Sequence, residues 1–507
     1  LYKTGMDGKL RRTLKDGYSE FKCCVSVHGT LSDTFSIGQS VHQGATWSMF
    51  KFAVYFNDLI EELQLSGDGV NIDNISVACP TFADDSSIIC LYKVALQRQL
   101  DRAYHYSTKW RLKYNVSKSA VIIYGDDENP GLDIKLGPDP VPIVSSNKHM
   151  GLILTPAKGS EFEFIKDRVS AGKRSYYAIQ GIGSKAVPLT PLVASKLYWN
   201  IAVPRMTYGL ELLQLSQKCM DTLEAAHTSV SKQIQGLPKQ TANLCIANLG
   251  WRSLETYIDI MKIMFVWRIL LLKSDSIYKR VLISRLAYHL FNPGGIHIGP
   301  LRHILDVYNK YSLFENLYSS LVTGICQSIA CFKRVTKQAV GDYERKCFIA
   351  TMLLYKRLPH DVLYGIGTKM WFWWIYASKN PEQCNKCKVL ARILYSETCL
   401  QSDVARFSEV HNKSCTWCPG PVVEDAAHML FECGRLADVR RTKWDEVTDT
   451  MPDAMLDTFN VYDKHEKLRF ILSGFNGAQY EDEWEPIYNC MISFVYKMYK
   501  ARQLMDV

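Results

Sequence analysis

Two adjacent carboxylates, Asp84 and Asp85, lie between two short apolar runs at residues 75–79 and 88–91. Runs of this kind on either side of a tight polar turn predict a β-hairpin with the carboxylates at its tip. Neighbouring carboxylates repel each other unless a cation lies between them, and a divalent metal is the usual cation. The pattern therefore indicates a divalent-metal site. For an isolated Asp-Asp pair, the alternative is a solvated acidic turn.

A second metal-ligating pattern lies further along the chain and has the form C-x2-C-x9-H-x4-C. Its four members are Cys415, Cys418, His428 and Cys433. Three thiolates and one imidazole at such spacing can close a tetrahedral site for structural Zn²⁺, whereas the alternative is a set of reduced, buried cysteines. A four-cysteine site that joins Cys384 and Cys387 to the Cys415–Cys418 pair is a competitor. We favour the Cys3His set because its ligands are local in sequence.

Further motifs accompany the Asp pair in a definite order. Gln43-Gly44 precede a helical pattern, Lys118 lies in a polar loop after the Asp pair, and Met150-Gly151 lie in a later apolar stretch. With Phe82-Ala83-Asp84-Asp85, this order resembles the palm of reverse transcriptases from non-LTR (LINE-type) retrotransposons. The resemblance is strong over residues 1–155 and continues more weakly beyond them. Such elements also carry a C-terminal Cys3His cluster.

The resemblance implies RNA-directed DNA polymerase activity on an RNA template and a DNA primer, with dNTPs as substrates. Two Mg²⁺ ions would clamp the attacking 3′-hydroxyl and the leaving pyrophosphate. Asp84 would be the main ligand, Asp85 would support it, and Lys118 would stabilise the triphosphate or protonate the leaving group. The resemblance assigns nucleotide and template binding to Gln43, Gly44, Phe82 and Ala83, and the primer grip to Met150 and Gly151.

The same family needs another metal-binding Asp from a strand that precedes the Gln-Gly motif. The acids before Gln43 are Asp7, Asp16, Glu20 and Asp33, and none follows an apolar strand-like run. Because the chain also starts at a leucine, we expect a fragment that begins after this strand and is inactive, or nearly so, alone. The alternative is a non-catalytic nucleic-acid-binding protein, a decayed or repurposed copy that keeps its zinc knuckle. An unrelated zinc-stabilised scaffold would make the ordered motifs a coincidence.

The elements that position these residues follow from hydrophobic periodicity. Apolar residues recur at helical spacing in 48–65 and in 96–110, which predicts one helix before the Asp-Asp hairpin and one after it. Residues 120–124 predict a strand, and residues 161–235 predict helices broken at Pro188, Pro191 and Pro204. We therefore expect an α+β fold, in which a partial right-hand polymerase palm is followed by a helical thumb and a helical C-terminal region with a small zinc knuckle.

Five segments are expected from these patterns. They are a partial palm at 1–155, a helical thumb at 156–250, a helical connector without an assigned role at 251–380, a zinc-knuckle region at 381–445 and C-terminal helices at 446–507.

The composition sets limits on partners and location. The 507 residues include 60 Lys+Arg and 51 Asp+Glu, and the net charge of +9 permits a nucleic-acid partner without demanding one. Sixteen cysteines without a signal-peptide pattern favour reduced thiols and an intracellular location, in the nucleus and/or the cytoplasm. The most apolar stretches, 258–272 and 370–377, are interrupted by charge or too short to span a bilayer, so no membrane partner is expected.

Overall fold

The chain divides into two units in a computed structural model. The first comprises Leu1–Lys158 and Lys273–Tyr288, and the second comprises Gly159–Leu272 and His289–Val507. The structure describes residues 5–6, 8–19, 22–37, 47–125, 133–156, 161–180, 189–292, 299–355, 369–406, 412–473 and 481–504.

Short strands and three helices make up the described part of residues 1–158. In chain order they are α1 (Gly8–Ser19), β1 (Lys22–Cys23), β2 (Ser26–Val27), β3 (Thr30–Leu31), β4 (Phe35–Ser36), α2 (Ser48–Leu65), β5 (Val70–Ile72), β6 (Ile75–Val77), β7 (Thr81–Phe82), β8 (Asp85–Ser86), α3 (Lys93–Trp110), β9 (Lys135–Leu136), β10 (Asp139–Pro140), β11 (Asn147–His149) and β12 (Leu152–Leu154).

The strands of the described residues pair two by two and antiparallel. The pairs are β1 with β4, β2 with β3, β5 with β6, β7 with β8, β9 with β10, and β11 with β12. The predicted strand at 120–124 is wrong, because only Val121 pairs, in a single parallel bridge with Ile143. The side chain of Val121 instead packs against the apolar cluster of Ile134, Leu136 and Val141. The β-branched run therefore reflects the burial of this side chain and not pairing in a β-sheet.

The two predicted helices around the Asp-Asp hairpin are confirmed as α2 and α3. Their facing apolar side chains form one core with Cys79, and the buried members are Phe56, Leu59, Leu63, Ala103 and Tyr106. Gln99 of α3 is fully buried, and its amide nitrogen donates to the Leu63 carbonyl at 3.0 Å and to Ser66 Oγ at 2.7 Å. The hairpin thus rests on a packed helical layer.

Helices predominate after residue 158, and all of them except α9 lie in the second unit. They are α4 (Glu161–Gln180), α5 (Pro191–Leu197), α6 (Val203–Thr207), α7 (Gln217–Gln235), α8 (Leu254–Leu270), α9 (Ile277–Phe291, mostly in the first unit), α10 (Pro300–Lys310), α11 (Phe314–Thr323), α12 (Ile329–Met352), α13 (Phe372–Lys379), α14 (Cys384–Leu394), α15 (Gln401–Val404), α16 (Ala426–Phe431), α17 (Ala437–Thr448), α18 (Asp453–Val461), α19 (Lys464–Ser473) and α20 (Glu485–Leu504). Among the described helices, none is both long and apolar enough to cross a membrane. Mostly helical units with small antiparallel ladders are compatible with the expected α+β class.

Two of the three predicted helix breaks can be compared with the structure, since Pro188 lies outside the described residues. Pro191 begins α5, where its missing N–H costs nothing. The predicted break at Pro204 is wrong, because α5 continues through a π-helical turn, Tyr198–Ala202, into α6. The wider turn shifts the hydrogen-bond register just before the proline, so the chain stays helical without the N–H that proline lacks.

Position 250 requires glycine because another segment of the backbone passes close to it. It has φ 65° after the 3-10 turn Asn243–Leu249, and a Cβ there would lie 2.8 Å from backbone atoms of Lys369 and Met370. We expect Gly250→Ala to lower the free energy of unfolding by about 2 kcal/mol or more, measured by urea denaturation.

Gly324→Ala is the matched control for this prediction. Gly324 has a similar φ of 69°, but nothing lies within 4 Å of the position of its Cβ. This substitution should cost only the backbone strain, about 1 kcal/mol. Equal losses in the two variants would show that the contact with Lys369 and Met370 has no energetic consequence.

Candidate functional site

A short antiparallel pairing positions the first two predicted zinc ligands. Ser414 and Val423 form a bridge, and the Cys415 N–H donates to the Val422 carbonyl at 2.7 Å. The segment between these partners turns back on itself, with Gly420 at φ 88°. Cys418 therefore lies in a tight loop directly beside Cys415.

The short helix α16 positions the other two ligands. Asp425 caps its N-terminus, because the carboxylate accepts the His428 N–H at 2.8 Å. At the other end, the Cys433 N–H donates to the His428 carbonyl at 2.8 Å. This last hydrogen bond turns the chain so that the side chains of His428 and Cys433 lie on the same side.

The four side chains form the geometry of a tetrahedral metal site. Their ligand atoms all lie within 4.8 Å of one another. Cys418 Sγ is 3.9 Å from Cys433 Sγ and 3.5 Å from His428 Nε2. Zn–S and Zn–N bonds of about 2.3 and 2.0 Å give tetrahedron edges of about 3.8 and 3.5 Å. The group could therefore hold a metal such as zinc, as the sequence predicts.

Burial makes a cation at this site energetically necessary if the thiols are to ionise. Cys415, His428 and Cys433 are 4%, 2% and 1% exposed, whereas Cys418 is half-buried. Burial, together with the neighbouring Cys415, raises the pKa of Cys433 to about 12. A bound divalent cation offsets that cost and holds the sulfur as thiolate.

Polar groups around the cluster orient its ligands. His428 Nδ1 lies 3.5 Å from a Glu432 carboxylate oxygen, which in turn accepts from Lys464 Nζ at 2.6 Å. Nε2 is the ring nitrogen of His428 that faces the cysteines, at 3.5 Å from Cys418 Sγ. Arg440 donates at 2.7 Å to the carbonyls of both Leu430 and Cys433, so it closes the end of α16.

A buried ion pair connects the cluster to the C-terminal helix α20. Arg502 and Glu424 have side chains that are only 1% and 2% exposed. The Nη2 of Arg502 donates to Glu424 at 3.2 Å, and its Nε donates to the second carboxylate oxygen. The guanidinium carbon also lies 4.1 Å from the ring centroid of Trp417, within the Cys415–Cys418 loop. One face of Trp417 is therefore occupied within the chain.

Cys384 and Cys387 do not belong to the cluster. Both are buried on α14, and burial raises the pKa of each thiol. Among the described residues, the only group of three or more potential metal ligands is the Cys3His set. The four-cysteine alternative is therefore not the one that the structure assembles.

A hairpin around the Asp pair is present as predicted, but its strands are β7 and β8 and not the apolar runs at 75–79 and 88–91, since Ile75–Val77 pairs with Val70–Ile72 instead. Thr81 pairs with Ser86 and Phe82 pairs with Asp85, which leaves Ala83 and Asp84 as a two-residue turn. Ala83 takes φ 56°, the left-handed conformation that such turns require. Both carboxylates and the Phe82 ring are exposed at the tip. The pair is thus open to a ligand from solvent.

A second hairpin brings the predicted primer-grip residues close to the first. Met150 at φ 49° and Gly151 at φ 80° form the turn between β11 and β12. His149, which precedes this turn, places Nε2 3.1 Å from Ser87 Oγ, just after the Asp pair. The two hairpins are therefore in direct contact.

Of the remaining predicted residues, only Lys118 lies within the described part of the chain, and it has no contact with the Asp pair there. Lys118 is exposed at the end of a 3-10 turn, Val116–Lys118, and within the described chain no hydrogen bond or ion pair links it to Asp84 or Asp85. Gln43 and Gly44 lie outside the described residues, and the helix after them begins at Ser48. No third carboxylate, His or Cys of the described chain forms a ligand group with the Asp pair.

Sequence comparisons add no family assignment. A scan against protein-family models finds no match, and a search of curated proteins finds no significant similarity. The candidate sites therefore rest on their own residues and geometry.

Sequence reasoning missed the residues that support the metal cluster. Asp425 could have been found, because an Asp three residues before His428 has the spacing of a helix N-cap. Glu432 could not have been found from the sequence, because a carboxylate four residues after a histidine is common on any helix face. Arg502 lies 78 residues from Glu424, and no sequence pattern connects them.

Proposed function

We propose that the chain is a reverse-transcriptase polypeptide of the LINE type that binds an RNA template and a DNA primer and carries one structural Zn²⁺. The contact between the two hairpins is the observation that supports this most. The motifs predicted to hold metal and to grip a primer meet through the 3.1 Å contact of Ser87 and His149, which lie 62 residues apart in sequence. A polymerase needs these two functions side by side.

In this proposal, the roles of the segments and residues are those that the resemblance to LINE-type reverse transcriptases implies. The palm comprises residues 1–155, the thumb 156–250 and the zinc knuckle 381–445, and the protein acts in the nucleus and/or the cytoplasm. Asp84 and Asp85 hold Mg²⁺, which supplies charge stabilisation for phosphoryl transfer. The exposed ring of Phe82 lies beside them on β7, where it can contact the nucleotide. Lys118 stabilises the triphosphate or protonates the leaving group.

We propose further that this chain alone does not synthesise DNA. Two-metal catalysis needs a carboxylate set that holds both ions, and the Asp pair has no third ligand among the described residues. This observation favours a second candidate function from a different class, a non-catalytic zinc protein that binds nucleic acid. In that case, binding would not depend on the Asp pair.

Primer extension with Mg²⁺ on an RNA template separates these possibilities. We expect no product above that of Asp84→Asn. We also expect Mg²⁺ to tighten the binding of template–primer and dNTP to the wild-type chain, and Asp84→Asn to remove that gain because one ligand is lost. Asp139→Asn, which changes an exposed Asp on β10, is the matched control and should retain the gain.

Each outcome of this experiment bears on the proposal. Extension that disappears in Asp84→Asn would establish the polymerase and refute the inactivity. Template binding that is equal with and without Mg²⁺, in both variants, would favour the non-catalytic zinc protein. A folded chain that binds no template–primer would contradict both candidates.

A further inference from the structure

Helix α12 lies in the segment 251–380, to which the sequence assigned no role. Its buried face carries Phe332, Thr336 and Val340, spaced four residues apart and fully buried. Phe332 stacks on Trp267 of α8 with ring centroids 3.5 Å apart. Glu344 is held by Arg252 at 3.9 Å and by the Thr256 hydroxyl, so this acid is used within the chain. The packing fixes which face of α12 points outward.

The outward face is basic. Arg334, Lys337 and Arg345 are exposed and spaced i, i+3 and i+11, which places them on one face over about 16 Å of helix. We call these three residues the basic stripe. Lys333 and Lys346 flank it and are also exposed, with Asp342 as an exposed acid at its edge. None of these five basic side chains forms an ion pair or a hydrogen bond with the described part of the chain.

Some basic side chains of the same unit are compensated within the chain. Lys310, for example, pairs with Glu255 at 2.6 Å and with Asp259 at 2.9 Å. On α12, in contrast, Arg334 and Lys337 are like charges three residues apart and repel each other, and the exposed Asp342 offsets only part of the charge of Arg345 and Lys346. An external polyanion would remove that repulsion.

Gly341 lies at the centre of the basic stripe, four residues from both Lys337 and Arg345. It is in the middle of a 24-residue helix, where glycine weakens the helix relative to alanine. No packing explains it, because a Cβ at Gly341 would meet nothing within 4 Å. A bare backbone flanked by guanidinium and ammonium groups permits a close approach from outside.

We infer that the basic stripe of α12 docks the phosphate backbone of a nucleic-acid duplex. Phosphate contacts come mainly from Arg and Lys and carry no sequence information, which fits side chains that face solvent on one helix. Binding of single strands needs aromatic rings on which bases stack, and the exposed face of α12 carries none of the exposed aromatic residues of the described chain. The inference does not depend on polymerase activity or on either metal site.

Fluorescence anisotropy with the full chain and a short labelled DNA duplex tests the docking, without Mg²⁺ or dNTP. The test variant is Arg334→Gln/Lys337→Gln/Arg345→Gln. The control, Arg469→Gln/Lys497→Gln/Lys500→Gln, removes the same charge from exposed positions on α19 and α20. We expect the test variant to weaken binding about tenfold or more and to lower the slope of log K against log salt by about 2.7, since each phosphate contact contributes about 0.9. The control should remain within about twofold of wild type.

Gly341→Glu is the second test, because it adds both bulk and negative charge at the centre of the stripe. It should weaken duplex binding while circular dichroism retains the helical signal. An RNA duplex should give the same pattern, because DNA and RNA duplexes both present a phosphate backbone.

Three results would overturn the inference. The first is equal losses in the test and control variants. The second is tighter binding to a single strand than to the duplex. The third is a loss in the test variant only for vesicles of anionic lipid.

Discussion

Cys433→Ala is expected to abolish the binding of one Zn²⁺ per chain and to unfold the segment around the cluster. Cys433 is 1% exposed and is the residue that turns the chain back toward Cys418 after α16. Because the free energy of binding structural zinc is folding free energy, on the order of 10 kcal/mol, losing one of four ligands removes most of the local stability. Metal content by mass spectrometry and thermal unfolding measure the two effects.

Cys384→Ala provides the matched control for this prediction. It removes a similarly buried thiol that belongs to a CxxC pair, but one that lies on α14 outside the cluster. Zinc content should stay at one per chain in this variant. Co²⁺ substitution should give the absorption of a tetrahedral site with three sulfurs, and this spectrum should persist in Cys384→Ala and vanish in Cys433→Ala. Loss of zinc from Cys384→Ala would restore the four-cysteine alternative.

The features that sequence predicted well are local ones. The ligands Cys415 and Cys418 lie in one loop, and His428 and Cys433 lie at the end of one short turn of helix, so their spacing alone encodes most of the site. The Asp-Asp hairpin is equally local, because a two-residue turn fixes the pairing of β7 with β8. Helices α2 and α3 follow from periodicity, since one face of each is buried.

The features that sequence missed depend on tertiary partners. Val121 lies in a β-branched run, yet it forms only one bridge, with Ile143, because β propensity does not by itself supply a partner strand. The Ser87–His149 contact joins positions 62 residues apart, and no periodicity reports such a pair. The π-helical turn before Pro204 is a further example. It keeps the chain helical at a proline, which the helix-breaking tendency of proline does not predict.

The Glu424–Arg502 pair belongs to this second group and has a large predicted effect. Arg502→Met should lower the free energy of unfolding by about 3–5 kcal/mol, because it leaves the Glu424 carboxylate buried without its cation. The Gln401 N–H, at 3.1 Å from Glu424, is too small a compensation for a full charge. Urea denaturation measures the loss, and Arg441→Met, which changes an exposed arginine, should stay within about 0.5 kcal/mol of wild type.

The double variant Glu424→Gln/Arg502→Met shows whether the loss of stability comes from leaving the Glu424 carboxylate buried without its cation. Removing both charges should recover more than half of the loss, since the neutral amide can still accept the Gln401 N–H. Arg502 also packs on Trp417 between two zinc ligands, so Arg502→Met should weaken zinc binding as well. The double variant should not recover this zinc affinity, because the guanidinium is still absent from the ring. Recovery of both quantities together would mean that α20 supports the metal site through charge alone.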